Sequence, residues 1–267
     1  MVGSELTNVK SPRVKAARRL AKRSFREQDR KFLAEGPQAV REALKLDGVT
    51  LELFATAEAE LRHPELITEA TLRGLPVNRA SGEVMAELSQ TVTPQGLLAI
   101  CRFVHVPLDQ ALDAGPKLVA VLAHVRDPGN AGTVMRAADA AGADAVVFTD
   151  ASVDPYNGKC VRASAGSLFH LPVVIGSPVA AAVRELKARG LRVLAADGAG
   201  THTLDDVDLS GPTAWIFGNE AWGLPEDVRA LADDVVRVPI YGRAESLNLA
   251  TAAAVCLYAS ARSQRVP

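Results

Sequence analysis

Three stretches of the chain carry side chains suited to chemistry, and each follows a run of apolar residues. The first is Arg126-Asp127-Pro128-Gly129-Asn130-Ala131-Gly132, with Arg136 one to two helical turns further on. The second is Gly218-Asn219-Glu220-Ala221-Trp222-Gly223-Leu224-Pro225. The third is Ile240-Tyr241-Gly242-Arg243-Ala244-Glu245-Ser246-Leu247-Asn248-Leu249. Each mixes glycine, which permits close backbone approach, with amide, hydroxyl or charged groups. Open α/β sheets bind nucleotide-like ligands in such loops, at the carboxyl ends of strands. Taken singly, every residue also has a plain structural use. Asn130 and Ser246 could cap helices, Gly218 and Gly223 could serve turns, and Arg136 could form a surface ion pair. A further glycine-rich stretch, Asp197-Gly198-Ala199-Gly200, is a poor dinucleotide site, because it lacks a third glycine and Thr201 to Leu204 do not clearly open a helix. It reads as an ordinary glycine turn.

Those loops need strands to hold them. Residues 117–267 supply near-continuous apolar strands at 118–124, 145–149, 172–175, 192–196, 214–217 and 235–239. Helical stretches such as 131–141 and 179–189 lie between them, and a long apolar helix follows at 247–262. Apolar strands separated by helices predict a mostly parallel sheet covered on both faces. The three loops follow its first, fifth and sixth strands. Upstream, residues 31–106 read as a smaller α/β domain: helix 35–46, strand 50–55, helix 64–73, a strand from Val77, helix 82–88 and a closing strand 96–104. A linker at 107–116, holding a short helical patch, joins the two.

At 267 residues the chain can bury two cores, and 48% hydrophobic content with only 4% aromatics means cores built mainly of Ala, Val and Leu. No stretch comes near the roughly 18 apolar residues of a membrane span. The amino terminus lacks the apolar region of a secretory signal, so a cytoplasmic location is expected. Cys101, Cys160 and Cys256 form no C-x-x-C pair, and the five histidines show no metal-ligand spacing. Buried thiols are expected rather than a disulfide framework or a zinc site. The formal charge of −1 hides an asymmetry: residues 1–31 carry ten Lys/Arg against three acids, a net +7, which leaves −8 on the other 236. A basic arm at 1–30, helical over about residues 15–26 after Pro12, on an acidic body points to a polyanion partner. Arg18, Arg19, Lys22, Arg23 and Arg26 are its candidate phosphate contacts, with a strong salt dependence.

In order and spacing, the three loops resemble the signature motifs of the SpoU (TrmH-like) branch of the SPOUT superfamily of RNA methyltransferases. The matching residues are Asn130-Ala-Gly-Thr-Val-Met-Arg136-Ala-Ala with Gly142, then Gly218-Asn-Glu-x-x-Gly-Leu224, then Val238-Pro-Ile-x-Gly-x-x-Glu-Ser-Leu-Asn248-Leu-Ala-Thr-Ala-Ala. Phe32-Leu-Ala-Glu-Gly36 and Thr93-Pro-Gln-Gly-Leu-Leu-Ala99 resemble the two ends of that family's substrate-binding domain, so the likeness covers residues 32–262. One departure is Ile240, which stands where Met is frequent and should matter little to a backbone-lined pocket. The resemblance implies a carboxy-terminal α/β domain with a deep trefoil knot, which connectivity rules alone would not suggest. It also implies a homodimer with the cofactor pocket near the subunit interface. The amino-terminal domain would be an RNA-binding fold resembling the L30e and L7Ae ribosomal proteins.

The activity so implied is methyl transfer from S-adenosylmethionine to a ribose 2′-hydroxyl of RNA, with 23S ribosomal RNA expected as substrate because a separate RNA-binding domain precedes the catalytic one. Gly218, Asn219, Glu220, Ile240, Ser246, Leu247, Asn248 and Leu249 would cradle the cofactor, largely through backbone groups. Arg136 would act on the ribose hydroxyl, Asn130 would orient the site, and Glu220 would orient or accept the proton. A guanidinium holds its proton too tightly to be an easy base, so stabilising the incipient alkoxide or gripping a phosphate suits Arg136 better. Lys159 and Arg162, in a helix around residues 159–166, are further RNA-contact candidates, with a solvated surface helix as the plainer reading. Two alternatives stay open at this point: an RNA-binding protein that kept the fold without the chemistry, and transfer RNA as substrate. The residues do not distinguish antibiotic resistance from ribosome maturation.

Overall fold

The computed structural model describes residues 5–265, so residues 1–4 of the expected arm and the last two residues lie outside the described residues. The chain forms two units, one built from the segment up to Val104 together with Tyr156–Phe169, the other from His105–Pro155 and His170 onward. The first holds a four-stranded sheet of β1 (Lys31–Glu35), β2 (Thr50–Ala55), β3 (Val77–Arg79) and β4 (Leu97–Arg102), in the order β1-β4-β2-β3. β4 runs antiparallel to both β1 and β2, and β3 parallel to β2. Two of its elements were not read from the sequence. β1 precedes the expected helix, which starts only at Pro37 after a turn at Gly36 (φ +94°); a Cβ there would come within 2.7 Å of the Gln95 side chain. Helix Ala57–Arg62 is started by Thr56, whose hydroxyl accepts from the Ala59 N–H.

The basic segment folds as part of this unit. Ser11 caps helix Pro12–Arg18, a 3₁₀ turn follows, and helix Arg23–Asp29 ends on Arg30 in the left-handed conformation. Val14, Ala17 and Leu20 are buried against Leu33, Phe54, Met85 and Leu98, so the apolar positions of the basic helix complete the core. Segment Tyr156–Phe169 completes the other side of β1. Tyr156 stacks on Phe103, with ring centroids 4.0 Å apart, and its hydroxyl accepts from the Val104 N–H.

The second unit carries a seven-stranded sheet: β5 (Leu118–Leu122), β6 (Ala145–Thr149), β7 (Val173–Ser177), β8 (Arg192–Ala196), β9 (His202–Thr203), β10 (Thr213–Phe217) and β11 (Asp234–Arg237). Every pairing is parallel, in the order β7-β6-β5-β10-β8-β11-β9. β5, β6 and β10 are buried along their whole length, which explains their unbroken apolar sequences. The chain moves outward from β5 to β6 and β7, then returns to place β10 on the other side of β5. That reversal is a topological switch point, where open parallel sheets form ligand crevices. The last helix, Leu249–Arg265, packs on helix Pro128–Ala141. No described helix is long and apolar enough to cross a membrane. The three cysteines are free and buried, and burial pushes the Cys101 and Cys256 thiols up to about 12, so neither is a ready nucleophile at neutral pH.

Candidate active site

The loops expected to carry chemistry converge at the carboxyl end of this sheet. After β5, His124 adopts a left-handed conformation (φ +58°) and turns the chain toward helix Pro128–Ala141. Asp127, not Asn130, caps that helix, accepting from the Asn130 N–H at 2.8 Å. The Asn130 side chain is thereby released for tertiary bonds. Its Nδ2 donates to Glu220 Oε1 at 3.2 Å, and its Oδ1 accepts from Asn248 Nδ2 at 3.1 Å. Ser246 is likewise not the cap of the last helix: Asn248 accepts there from the Ala250 N–H at 2.9 Å. One hydrogen-bonded chain, Asn248–Asn130–Glu220, thus links all three loops. Glu220 accepts in addition from the Arg126 and Asp127 N–H groups at 3.3 and 3.2 Å while its carboxylate remains exposed.

The loop after β10 is braced from within. Asn219 and Gly223 exchange both backbone hydrogen bonds at 2.9 Å, and Asn219 Nδ2 donates to the His124 carbonyl at 3.0 Å. A Cβ on Gly218 would sit 2.5 Å from the Gly223 carbonyl, so only glycine fits where the two limbs of the loop cross. Asp197, at the end of β8, accepts from the Leu224 N–H at 3.2 Å and pairs with Arg229 at 3.5 Å. The glycine turn dismissed as a dinucleotide site therefore has a different use: it holds this loop in place.

Between these loops lies a cleft of about 390 Å³, within the range of small-molecule sites. Of the candidates read from the sequence, Gly218, Asn219, Glu220, Ile240, Ser246, Leu247 and Leu249 line it. Asn248 does not line it and acts through Asn130 and the helix start instead. Ala196, Asp197, Gly198, Trp222 and Arg229 also line it and went unassigned from the sequence. The first three could have been found by treating every strand end alike, since Ala196 ends β8 and Asp197 and Gly198 follow it. Its lining combines apolar groups (Ala196, Val236, Val238, Leu249) with polar ones (Asp197, Asn219, Glu220, Ser246). Such a lining suits a ligand that combines a flat heterocycle with polar groups.

The SpoU rRNA methylase family matches residues 117–258, and the MRM3-like substrate binding domain matches residues 11–99. The chain belongs to the SpoU rRNA methylase family. Among its SpoU relatives, the 23S rRNA (guanosine(2553)-2′-O)-methyltransferase RlmP of Bacillus subtilis is 35% identical over 254 residues, covering 95% of this chain and 98% of RlmP. The AdoMet-bound rRNA methyltransferase of Sinorhizobium meliloti is similar in structure, with a TM-score of 0.82 at 30% identity and 97% of each chain covered. The SpoU methyltransferase AviRb of Streptomyces viridochromogenes, in complex with AdoMet, gives a TM-score of 0.83 at 27% identity, covering 94% of this chain and 98% of AviRb.

The remaining SpoU site candidates fall into separate places. Arg136 is exposed, two turns into helix Pro128–Ala141 on the stripe that includes Gly129 and Thr133, and it does not line the cleft. Among the described residues no ion pair engages it. In the first unit Arg26 is 3% exposed and donates to the Leu20 and Ala21 carbonyls at 3.0 and 2.8 Å. It therefore tethers the 3₁₀ turn, and its burial overturns the expected phosphate contact. Arg18 pairs with Glu87, Arg19 with Asp29 through two nitrogens, and Arg23 with Glu27, all in exposed positions from which they can exchange partners. Lys22 and Lys159 are exposed. Arg162 donates to Glu35 Oε2 at 2.9 Å and is largely covered, which commits it to the first unit's own structure.

Proposed function

We propose that this protein transfers the methyl group of S-adenosylmethionine to a ribose 2′-hydroxyl of 23S ribosomal RNA. The hydrogen-bonded chain Asn248–Asn130–Glu220 supports this reading most directly, because it gathers the three SpoU motifs around one cleft. The cleft fits the cofactor: glycine at 218 lets the two limbs of its loop cross beside the cleft, and the apolar lining of Val238, Ile240 and Leu249 suits an adenine. When bound, S-adenosylmethionine supplies an activated sulfonium methyl for in-line displacement. The protein's part is to align the ribose oxygen and handle its proton. In this reading Glu220, held from one side by two backbone N–H groups and Asn130, orients or takes that proton. Arg136, exposed and uncommitted within helix Pro128–Ala141, is suited to stabilise the developing alkoxide or grip the neighbouring phosphate.

The first unit grips the RNA in this reading, with Arg18, Arg19, Lys22 and Arg23 supplying charge to phosphates. A homodimer is supported by exposed apolar groups on the last helix, Val255 and Tyr258, and by Tyr241 and Leu247 in the preceding loop. The trefoil threading is supported by the last helix lying against helix Pro128–Ala141, and a cytoplasmic location by the substrate. Labelled S-adenosylmethionine, purified protein, and ribosomal and transfer RNA should give one 2′-O-methylated nucleotide in 23S RNA. Transfer to transfer RNA alone would change the substrate, and cofactor binding with no transfer to any RNA would overturn the catalytic reading.

A further inference from the structure

Trp222 is an exposed aromatic in the wall of the cleft that the methyl-transfer machinery leaves unused. It is 59% exposed, and the loop bearing it is rigid: Asn219 and Gly223 bond each other on either side, and Gly223 takes the positive φ (+69°) that the tight return needs. A large apolar ring held out to solvent by a braced loop gains none of the stabilisation that burial inside the fold would give. The reaction supplies a use. The ribose oxygen must come within roughly 3 Å of the methyl group, and a base unstacked to bring its ribose there loses its neighbours. An aromatic face beside the cleft restores one stacking partner. Trp222 is the one aromatic side chain among the cleft-lining residues.

We propose that Trp222 is a substrate-binding residue that stacks on the nucleobase of the target nucleotide, or of its immediate neighbour, and so sets the ribose in register with the methyl donor. The inference rests on the RNA-methylation reading above. Stacking of this kind is tolerant of base identity and is worth about 1–3 kcal/mol per base, which is about 5- to 150-fold in binding.

The chain has two tryptophans, and Trp215 is fully buried, its Nε1–H donating to Ser260 at 2.9 Å. Acrylamide quenching of intrinsic fluorescence therefore reports Trp222. Protein-free 23S ribosomal RNA should protect it from acrylamide, and S-adenosylmethionine alone should not. Trp222→Ala should lower kcat/KM for that RNA by about tenfold or more and Trp222→Phe should recover most of the loss, with cofactor Kd unchanged by calorimetry. Protection by the cofactor alone, or a parallel loss of cofactor affinity in Trp222→Ala, would place the ring against the cofactor and overturn the proposal. Protection that rises with protein concentration, with Trp222→Ala becoming monomeric in sedimentation, would assign the ring to a second copy of the chain and overturn it as well. Wild-type transfer is measured first. Its absence overturns the methylation reading and this inference with it, whereas normal transfer with an unaffected Trp222→Ala overturns the inference alone.

Discussion

Glu35 in the first unit and Glu220 in the second each gather several donors around one carboxylate. Around Glu35 these are the Ser89 and Thr91 hydroxyls, the Gln90 N–H and the Arg162 guanidinium, and the residue is only 8% exposed. Burial pushes its carboxyl up, but the hydrogen bonds from Ser89, Thr91 and Gln90, with the Arg162 charge, outweigh burial and hold it below the ordinary glutamate value. Around Glu220 the donors are two backbone N–H groups and Asn130, all on the side of the loop after β5, and the carboxylate stays open to solvent. A carboxylate offers about four acceptor positions. Glu35 uses its positions to join the turn at residues 89–91 and Arg162 to β1, while Glu220 keeps a face for substrate. Counting partners does not separate a structural acid from a working one; their direction and the exposure left over do.

Substitutions can break this contrast, and the largest effect is expected away from both carboxylates. Arg136→Ala should lower kcat by about 100-fold or more while leaving the melting temperature unchanged, because no ion pair engages the exposed side chain among the described residues. Full retained turnover would remove Arg136 from the reaction. Glu220→Gln should lower kcat by about tenfold or more and barely alter unfolding, since the amide keeps one acceptor for Asp127 N–H and Asn130. A large loss of stability with normal turnover per folded molecule would make Glu220 a second Glu35.

Glu35→Gln should do the reverse. It leaves Arg162 beside a neutral amide, and unfolding at pH 7 should become easier by about 2 kcal/mol with turnover per folded molecule intact. The pH dependence carries a definite sign. A carboxyl held low in the folded state stabilises fully above the ordinary value of 4.5, and that stability is lost as pH falls through the lower folded value. Denaturant unfolding at pH 7 and near pH 3 should show the gap between wild type and Glu35→Gln closing at the lower pH. An equal gap at both would mean the carboxylate charge is not what the cluster uses.

The sequence made the second unit legible because its parallel strands are mostly apolar, and β6 and β8 coincide with the strands read at 145–149 and 192–196. The first unit was harder. β1 is five residues long and merges with the helix pattern that follows, and only the turn at Gly36 separates them. In the site, residue types pointed to the right loops but not to the division of labour inside them. Asp127 and Asn130 can both cap a helix, and which one does depends on Glu220, ninety residues away. Arg26 shows the same limit, since a basic residue in a basic run looks like its neighbours until the turn it tethers is known. Segment Tyr156–Phe169 joins the first unit through a ring stack and an ion pair with partners fifty or more positions away, which no local pattern records.

The smallest expected effect tests whether the basic helices use their charge outside the fold. Arg23 makes an exposed i,i+4 pair with Glu27 at 2.7 Å, and such pairs contribute at most about 0.5 kcal/mol. Arg23→Ala should therefore leave unfolding within that range. If Arg23 contacts a phosphate, RNA binding should weaken modestly, and the slope of log affinity against log salt should shrink by about one. Arg26→Ala is the internal control, because its guanidinium is buried on two backbone carbonyls and its loss should destabilise the unit with no specific change in salt slope. An unchanged slope in Arg23→Ala would mean that the charge of these helices is spent, like that of Arg162, on the fold itself.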